Sequence, residues 1–296
     1  MNRETFFIVL SFATIYIVWG STYLFSDFAV QEIDAFRVCT IRFIPASMLA
    51  FLLAAFLGKP ILWQKKEIIN SLIAGFTFLG LGTGGAIWSL NHLDSGFSAL
   101  IISGEPLIIV LLIWLIKKSK PAGRTLFGIA LGMIGMYLLI SQQELISSPS
   151  HWIGILAIFL SMLAWGLGSI FVSGASLPQN QFFNIGIQLG VGGITCYVIS
   201  LILGEDAIAF GGLSQRAIFS IAFLIVFGSI AAFTAFNYLL KKVSTEKVVT
   251  NTYVNPIIAM ILGYLYNNEV VTSQSVISAV ILLSGVFIIN SRKALK

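Results

Sequence analysis

Apolar residues occur in ten long runs along the chain, separated by short polar connections. Each run is about as long as the helix of roughly twenty residues that crosses a hydrocarbon core about 30 Å thick. The pattern therefore predicts an all-α membrane protein with ten transmembrane helices and no soluble domain. The predicted spans are 6–25, 38–57, 68–90, 96–116, 124–141, 152–173, 182–203, 217–240, 247–267 and 274–290.

Composition excludes an ordinary soluble domain. The 296 residues are 57% apolar and 10% charged, whereas soluble domains average about 45–50% apolar and about 25% charged residues. The first apolar run is too long for a cleavable signal peptide, and no small-residue cleavage site follows it. Cys39 and Cys196 both lie inside predicted spans, so we interpret them as small buried residues rather than as a disulfide pair.

The charged residues indicate how the chain is oriented in the membrane. With the N-terminus placed in the cytoplasm, all 17 Lys and Arg residues fall on the cytoplasmic side except Arg37, Arg42 and Arg216. Cytoplasmic loops of membrane proteins carry such an excess, so both termini are predicted to be cytoplasmic. A basic rim that faces the anionic lipid of the bilayer accounts for the net charge of +5, and no nucleic-acid partner is expected.

The two halves of the chain resemble each other. The segment SGEPLIIVLLIWLI at 103–116 matches YVNPIIAMILGYLY at 253–266 without a gap. The segment WGSTYLF at 19–25 matches WGLGSIF at 165–171. These matches indicate that one five-span unit occurs twice.

The duplication predicts two domains, residues 1–145 with spans 1–5 and residues 146–296 with spans 6–10. Because five is odd, the second unit enters the membrane from the opposite side. Such an inverted repeat is typical of secondary transporters, since two equivalent packings can open a central site to either side in turn.

Several motifs together resemble the EamA branch of the drug/metabolite transporter superfamily. They are the two Trp-Gly motifs, the Arg-Phe pair in span 2, the prolines within spans 4 and 9, and Tyr-Asn-Asn-Glu-Val at 266–270. The resemblance implies a bundle around a central cavity, with spans 5 and 10 at its edge, in a bacterial inner membrane. It also implies a small polar or amphipathic cargo such as an amino acid, a purine or a drug. One departure is that Lys118-Ser119 stands where relatives carry a glutamate at the end of span 4, whereas Glu269 is kept.

A carboxylate beside a proline interrupts span 4. Pro106 and its counterpart Pro256 each remove a helix hydrogen bond, so both are predicted hinges near the membrane midplane. Glu105 is costly in lipid unless it faces water or a partner, which places it in the predicted cavity. Asn255 is its equivalent in the second half, and Asn251 lies one helical turn earlier. We expect Glu105 and both asparagines to bind a polar group of the substrate.

Three roles for Glu105 remain open at this point. It can form an ion pair with a substrate amine, carry a coupling proton because desolvation favours the neutral acid, or serve as a structural acid bonded within the bundle. Arg42, near the outer end of span 2, also has three alternatives. It can extend to the lipid headgroups, pair with Glu105, or bind an anionic group such as a substrate carboxylate.

Aromatic residues complete the predicted site. Trp19 and Trp88 lie towards the outer ends of spans 1 and 3, and their counterparts Trp165 and Tyr238 lie towards the inner face. We expect them to close the cavity or to stack on a flat substrate, with Asn237 as a further polar contact. The alternative is an aromatic belt at the level of the lipid headgroups.

The chain lacks the motifs of an intramembrane enzyme. It contains no H-E-x-x-H, no G-x-S-x-G and no phosphate-binding glycine loop, so neither catalysis nor a cofactor nor a metal is expected. The sequence therefore predicts a secondary transporter that exports small amphipathic metabolites, amino acids first, driven by a gradient of substrate or protons. Alternatives are an exporter of drug-like or nucleobase compounds and, outside this class, a membrane receptor or scaffold that transports nothing.

Overall fold

The fold is helical throughout the part of the chain that is described. The structure is a computed structural model, and it describes residues 3–57, 60–118, 122–142, 148–243 and 251–290. None of these residues lies in a strand, which confirms the predicted all-α class for them. The helices are α1 (Arg3–Val30), α2 (Ala35–Leu57), α3 (Lys65–Asn91), α4 (Ser95–Ile102), α5 (Glu105–Lys117), α6 (Gly123–Ile140), α7 (Pro149–Val172), α8 (Gln181–Leu203), α9 (Gln215–Phe223, continuing through Leu224–Ala231 and Ala232–Lys242), α10 (Asn251–Tyr266) and α11 (Ser273–Asn290).

Eight helical segments are long and apolar enough to cross a membrane. They are Arg3–Val30, Ala35–Leu57, Lys65–Asn91, Ser95–Ile116, Gly123–Ile140, Pro149–Val172, Gln181–Leu203 and Gln215–Phe236. The chain is therefore a multi-pass membrane protein. The last two predicted spans correspond to the shorter apolar helices Val254–Tyr266 and Ser273–Ile288. Residues 247–250 of the predicted ninth span lie outside the described part of the chain, so a total of ten spans remains a prediction.

The two predicted hinges differ from each other, which corrects the expectation of symmetric kinks. In the fourth span, α4 ends at Ile102 and α5 begins at Glu105, so the helix is interrupted rather than bent. Pro106 lies in the first turn of α5, where its missing N–H removes no helix bond. Pro256 instead lies inside α10, which continues through it. Gly104 precedes α5 as its N-cap, and α5 begins at Glu105, one residue before the proline.

Two helix pairs make the most extensive contacts between the halves of the chain. Helix α2 packs along α8, where Ser47 Oγ donates to the Gly186 carbonyl oxygen at 2.7 Å. Helix α6 packs chiefly on α11, and a Cβ on Gly285 would lie only 2.6 Å from the backbone nitrogen of Gly132. Glycine at this crossing allows the two backbones to touch, which is how membrane helices associate closely.

The buried side chains form two main cores. One lies between α2, α3, α8 and α9 and includes Phe43, Cys39 and Cys196, and the other lies between α4, α5, α6, α7 and α11 around Leu139 and Leu282. Both cysteines are free and buried, as their interpretation from the sequence requires. Many of the remaining apolar side chains face outward, as expected for helices whose solvent is lipid.

Candidate functional site

Glu105 is the first residue of α5 and follows the break in the fourth span. Its side chain is partly exposed, and it is close enough to Tyr23 of α1 for an electrostatic interaction. No other residue in the described ranges forms a hydrogen bond or an ion pair with its carboxylate. The carboxylate is therefore available to bind a cationic group or a proton.

The two asparagines of α10 lie on one face of that helix and are buried. With its amide oriented to satisfy both neighbours, Asn255 donates to the carbonyl oxygens of Asn251 at 3.2 Å and Tyr16 at 3.1 Å. Asn255 thus connects α10 to α1. No hydrogen bond in the described residues joins Glu105 to either asparagine, so a binding site shared by all three remains a prediction.

Arg42 points into the protein and is only 6% exposed. Its Nε donates to Ser229 Oγ of α9 at 3.0 Å. Among the residues that the structure describes, no carboxylate lies within ion-pair distance of its guanidinium. Two of the alternatives for Arg42 are therefore wrong, because it neither extends to the headgroups nor pairs with Glu105. The face of α2 that carries it packs against α9 rather than against lipid.

The side chain of Trp19, in the first half of the chain, contacts helix α9 in the second half. Its indole Nε1 donates to the carbonyl oxygen of Gly228 at 3.3 Å. Its ring also packs on Phe236 and Phe233 of α9, with centroids 5.1 and 6.0 Å away. Gly228 belongs to a π-helical segment, Leu224–Ala231, within α9.

The side chain of Trp165, in the second half, makes the equivalent contact with helix α3 in the first half. Its ring lies 4.8 Å from that of Phe78, and a Cβ on Gly82 would lie 3.0 Å from its Cε3 atom. Gly82 also belongs to a π-helical segment, Phe76–Thr83, within α3. The same offset of 146 residues separates Trp19 from Trp165 and Gly82 from Gly228. The two contacts between a tryptophan and a glycine-containing π-helical segment therefore lie at equivalent positions in the two halves.

The sequence did not predict these π-helical segments. A π turn forms one wide turn within an α-helix and occurs frequently at functional sites. The signal that was available in the sequence is the pair of glycines, Gly82 and Gly228, at the same offset of 146 residues as the two Trp-Gly motifs.

The other aromatic candidates lie apart from this arrangement. Trp88 packs on His92 of its own half, with ring centroids 4.7 Å apart, and Tyr238 is half-buried in α9. No ring contact joins Trp19 to Trp88 or Trp165 to Tyr238 in the described ranges. The structure thus shows no aromatic pairs that close the two ends of a cavity. The side chain of Asn237 lies outside the described part of the chain.

Glu269 has a structural role that the sequence did not reveal. Its carboxylate accepts from the backbone nitrogens of Ser95 at 3.0 Å and Gly96 at 2.8 Å, and from Ser95 Oγ at 2.6 Å. It therefore caps the N-terminus of α4, where the helix dipole favours negative charge. Asn267 Nδ2 donates to the same carboxylate at 3.2 Å and to Asp27 at 2.7 Å, which ties together α1, α4 and the end of α10.

A small cavity lies beside this cap and is lined by Asp94, Phe97, Met260 and Glu269 among others. Burial raises the pKa of Asp94, and the negative charge of Glu269 raises it further. None of the predicted substrate-binding residues lines this cavity. The cavity is therefore distinct from the surroundings of Glu105 and Arg42.

A bundle of helices that are long and apolar enough to cross a membrane defines a class, that of multi-pass membrane proteins. The model of the EamA-like transporter family matches the chain at residues 6–141 and again at 152–291. The chain belongs to this family, as the motifs in the sequence indicated.

Similar proteins bear out this assignment. The chain is 28% identical to the "Uncharacterized inner membrane transporter YedA" of Escherichia coli K12, over 95% of this chain and 90% of that protein. It is 21% identical to the "Uncharacterized transporter YoaV" of Bacillus subtilis, over 95% of each. It is 25% identical to a WAT1-related chloroplastic protein of Arabidopsis thaliana, over 93% of this chain and 67% of that one.

A solved crystal structure has the same fold. It covers 97% of this chain, and 98% of its own length is matched, with a TM-score of 0.65 and 16% sequence identity. At this identity the likeness supports the fold alone.

Proposed function

We propose that the protein is a secondary transporter that exports small amphipathic metabolites, amino acids first, across the cytoplasmic membrane by alternating access. In this proposal the two halves are inverted repeats of five spans each, and both termini are cytoplasmic. The family and its named relatives support transport; the cargo, the direction and the mechanism are our inference.

The observation that carries the proposal is the pair of equivalent contacts that Trp19 and Trp165 make between the two halves. Trp19 packs on the π-helical segment of α9, and Trp165 packs on that of α3. Two equivalent contacts between the halves are what alternating access requires, because loosening one while tightening the other exposes a central site to opposite sides. A π turn allows a local change of helix pitch at each contact.

The charges inside the bundle favour a small polar cargo. Glu105 has a carboxylate with no partner among the described residues other than the nearby phenol of Tyr23. It lies where two helices meet end to end, and such broken helices form the binding sites of many transporters. An ammonium group of the substrate would compensate this negative charge.

Uptake and counterflow in proteoliposomes test the proposal. Purified full-length protein would be assayed with labelled amino acids and nucleobases, with and without a pH gradient. Saturable counterflow of amino acids would support the proposal, and a response to the gradient would indicate proton coupling. Saturable flux of nucleobases alone would make the alternative cargo correct, whereas no flux of any compound by folded protein would favour a receptor or scaffold.

A further inference from the structure

The two π-helical segments are bonded to the opposite half of the chain in different ways. The carbonyl oxygen of Gly228 accepts from Nε1 of Trp19 at 3.3 Å. The carbonyl oxygen of Gly82, at the equivalent position, accepts instead from Oγ of Ser161. Ser161 lies four residues before Trp165, which is about one turn earlier on α7. The contact at Gly82 is therefore one helical turn out of register with the contact at Gly228.

The indole N–H of Trp165 is an unused donor beside this contact. Its ring lies against Gly82, where a Cβ would be 3.0 Å from Cε3, but its Nε1 donates no hydrogen bond to any described residue. A shift of α7 along α3 by one turn, about 5.4 Å, would replace Ser161 with Trp165 at the Gly82 carbonyl. Shifts of one turn between packed helices occur in other conformational switches.

A second hydrogen bond shows the same difference between the halves. Arg42 of α2 donates to Ser229 Oγ in the π-helical segment of α9, at 3.0 Å. The residues at the offset of 146 are Gln188 and Thr83, and they do not bond to each other. Gln188 Nε2 donates to Asn184 Oδ1 of its own helix at 3.1 Å, and Thr83 Oγ1 donates to a carbonyl oxygen of its own helix. Two bonds between the halves are thus formed at α9, and their counterparts at α3 are not.

We propose that the indole hydrogen bonds of Trp19 and Trp165 form alternately and hold the two states of the transporter. This inference rests on the proposed function and names the contact that each state uses. In the described state Trp19 is bonded to Gly228, and the N–H of Trp165 is unbonded. In the other state Trp165 is bonded to Gly82 and the N–H of Trp19 is unbonded, because inverted repeats exchange their contacts when they exchange states.

The described state is expected to be the more populated one. Ser161 bonds Gly82 in this state, so a side chain donates to the glycine carbonyl at both π-helical segments. The residue of α1 at the position equivalent to Ser161 is Ile15, whose side chain has no hydrogen-bond donor. In the other state Gly228 therefore loses its donor from α1, and a backbone carbonyl without a partner is costly within a membrane.

NMR of the tryptophan indoles tests the alternation in full-length protein in lipid nanodiscs. The chain has six tryptophans, and Trp19→Phe and Trp165→Phe each remove one ¹⁵N-indole signal and so assign it. A hydrogen-bonded indole N–H resonates downfield and exchanges slowly with solvent. We expect Trp19 to be bonded in the major state and Trp165 in the minor state, with both signals exchanging at one rate and with the same two populations.

Ser161→Ala tests whether the two distant indoles are linked. It frees the Gly82 carbonyl for Trp165, so the ratio of the minor to the major state should rise at least about threefold. The bonded population of Trp19 should fall to the same extent, whereas a purely local effect would change Trp165 alone. Ser173→Ala is the matched control, because it removes a hydroxyl that bonds only within α7, and it should change neither signal.

Trp19→Phe provides an independent test should Ser161→Ala disturb the fold. It keeps an aromatic ring but removes the donor to Gly228, so it should also raise the bonded population of Trp165 at least about threefold. A single unbonded state of Trp165 in the wild type and in both variants would overturn the alternation. Different exchange rates for the two indoles, or an effect of Ser161→Ala confined to Trp165, would overturn it as well.

Flux measured on the same protein separates this inference from the proposed function. Saturable counterflow in proteoliposomes with unlinked indole signals would leave transport standing and overturn the alternation of the indole bonds. Linked exchange of the two indoles without flux of any compound would support the alternation and count against transport.

Discussion

Three ionisable residues in or beside apolar segments, Arg42, Glu105 and Glu269, have different surroundings in the fold. Glu269 accepts three hydrogen bonds from Ser95 and Gly96 and caps a helix. Among the described residues, Arg42 makes one hydrogen bond, to Ser229, and its guanidinium carbon lies 5.2 Å from the ring centroid of Phe43. Glu105 has an electrostatic interaction with Tyr23 and no hydrogen bond or ion pair within the described ranges. The carboxylate of Glu269 is therefore occupied by the fold, whereas Arg42 and Glu105 have no ion-pair partner among the described residues.

Glu105→Gln tests the role of this acid. The amide keeps the shape but not the charge, so we expect counterflow of a zwitterionic substrate to fall at least about tenfold with thermal stability close to wild type. The exposed Asp206→Asn serves as the control for a loss of one negative charge. Unchanged transport at unchanged expression would exclude both ion pairing and proton transfer by Glu105.

Asp94→Asn tests how the stability of the protein depends on pH at the N-terminal end of α4. Burial and Glu269 raise the pKa of Asp94, so the folded state holds this proton more tightly than the unfolded state, and stability falls as the pH rises through that range. The amide side chain in the variant Asp94→Asn cannot ionise, so the variant does not lose this stability as the pH rises. We expect a higher unfolding temperature than wild type at pH 7.5.

The gain from Asp94→Asn should shrink as the pH falls below the raised pKa, where the native acid is also neutral. Thermal unfolding measured across pH 4 to 8 would check this. An equal difference at every pH would show that the ionisation of Asp94 is not its cause.

At the scale of elements, acidic side chains of one half cap helices of the other half. Glu205 accepts from the backbone nitrogens of Phe36 and Arg37 at the start of α2, at 3.2 and 3.1 Å. Glu32 accepts from the backbone nitrogen of Ser214 before α9 at 2.8 Å. Glu269 makes the same kind of contact at α4, and all three fit the preference of helix N-termini for negative charge.

The contact between α6 and α11 provides a test of helix packing. A Cβ on Gly135 would lie 2.5 Å from the backbone nitrogen of Leu282, whereas a Cβ on Gly123 in the same helix would meet nothing within 4 Å. We expect Gly135→Ala to destabilise the protein by about 1–3 kcal/mol. Gly123→Ala, the matched control, should be neutral or slightly stabilising. Equal unfolding temperatures for both variants would contradict the close approach of these helices.

At the scale of the whole molecule, the proposed topology places consecutive loops on opposite sides of the membrane. Helix α8 separates the connection that contains Gly174 from the one that contains Gly211. With a cytoplasmic N-terminus, Gly174 is inside the cell and Gly211 outside. Neither position would crowd a new side chain, because a Cβ there meets nothing within 4 Å.

Cysteine labelling checks this topology. In a background of Cys39→Ala and Cys196→Ala, a membrane-impermeant maleimide should label Gly211→Cys in intact cells and Gly174→Cys only after permeabilisation. The reverse pattern would invert the orientation. Labelling of both in intact cells would mean that α8 does not separate the two loops.

Local pattern determined much of this protein. Apolar runs predict helices in lipid because a backbone with unsatisfied hydrogen-bonding groups cannot cross a bilayer, and the helical class and the membrane location followed from them. The family followed from the resemblance of the motifs. The internal repeat also followed from the sequence, since Trp19 and Trp165 lie at matching positions. Such features depend on spacing along the chain, which one sequence shows in full.

Only the tertiary structure decided what the polar residues contact. It turned Arg42 towards Ser229, directed Glu269 to the start of α4 and formed π turns around Gly82 and Gly228. Each contact joins residues more than a hundred positions apart or depends on how two helices cross. The physical reason is that hydrophobic periodicity fixes which segments form helices, whereas the packing of helices on one another fixes which charged side chain finds a partner.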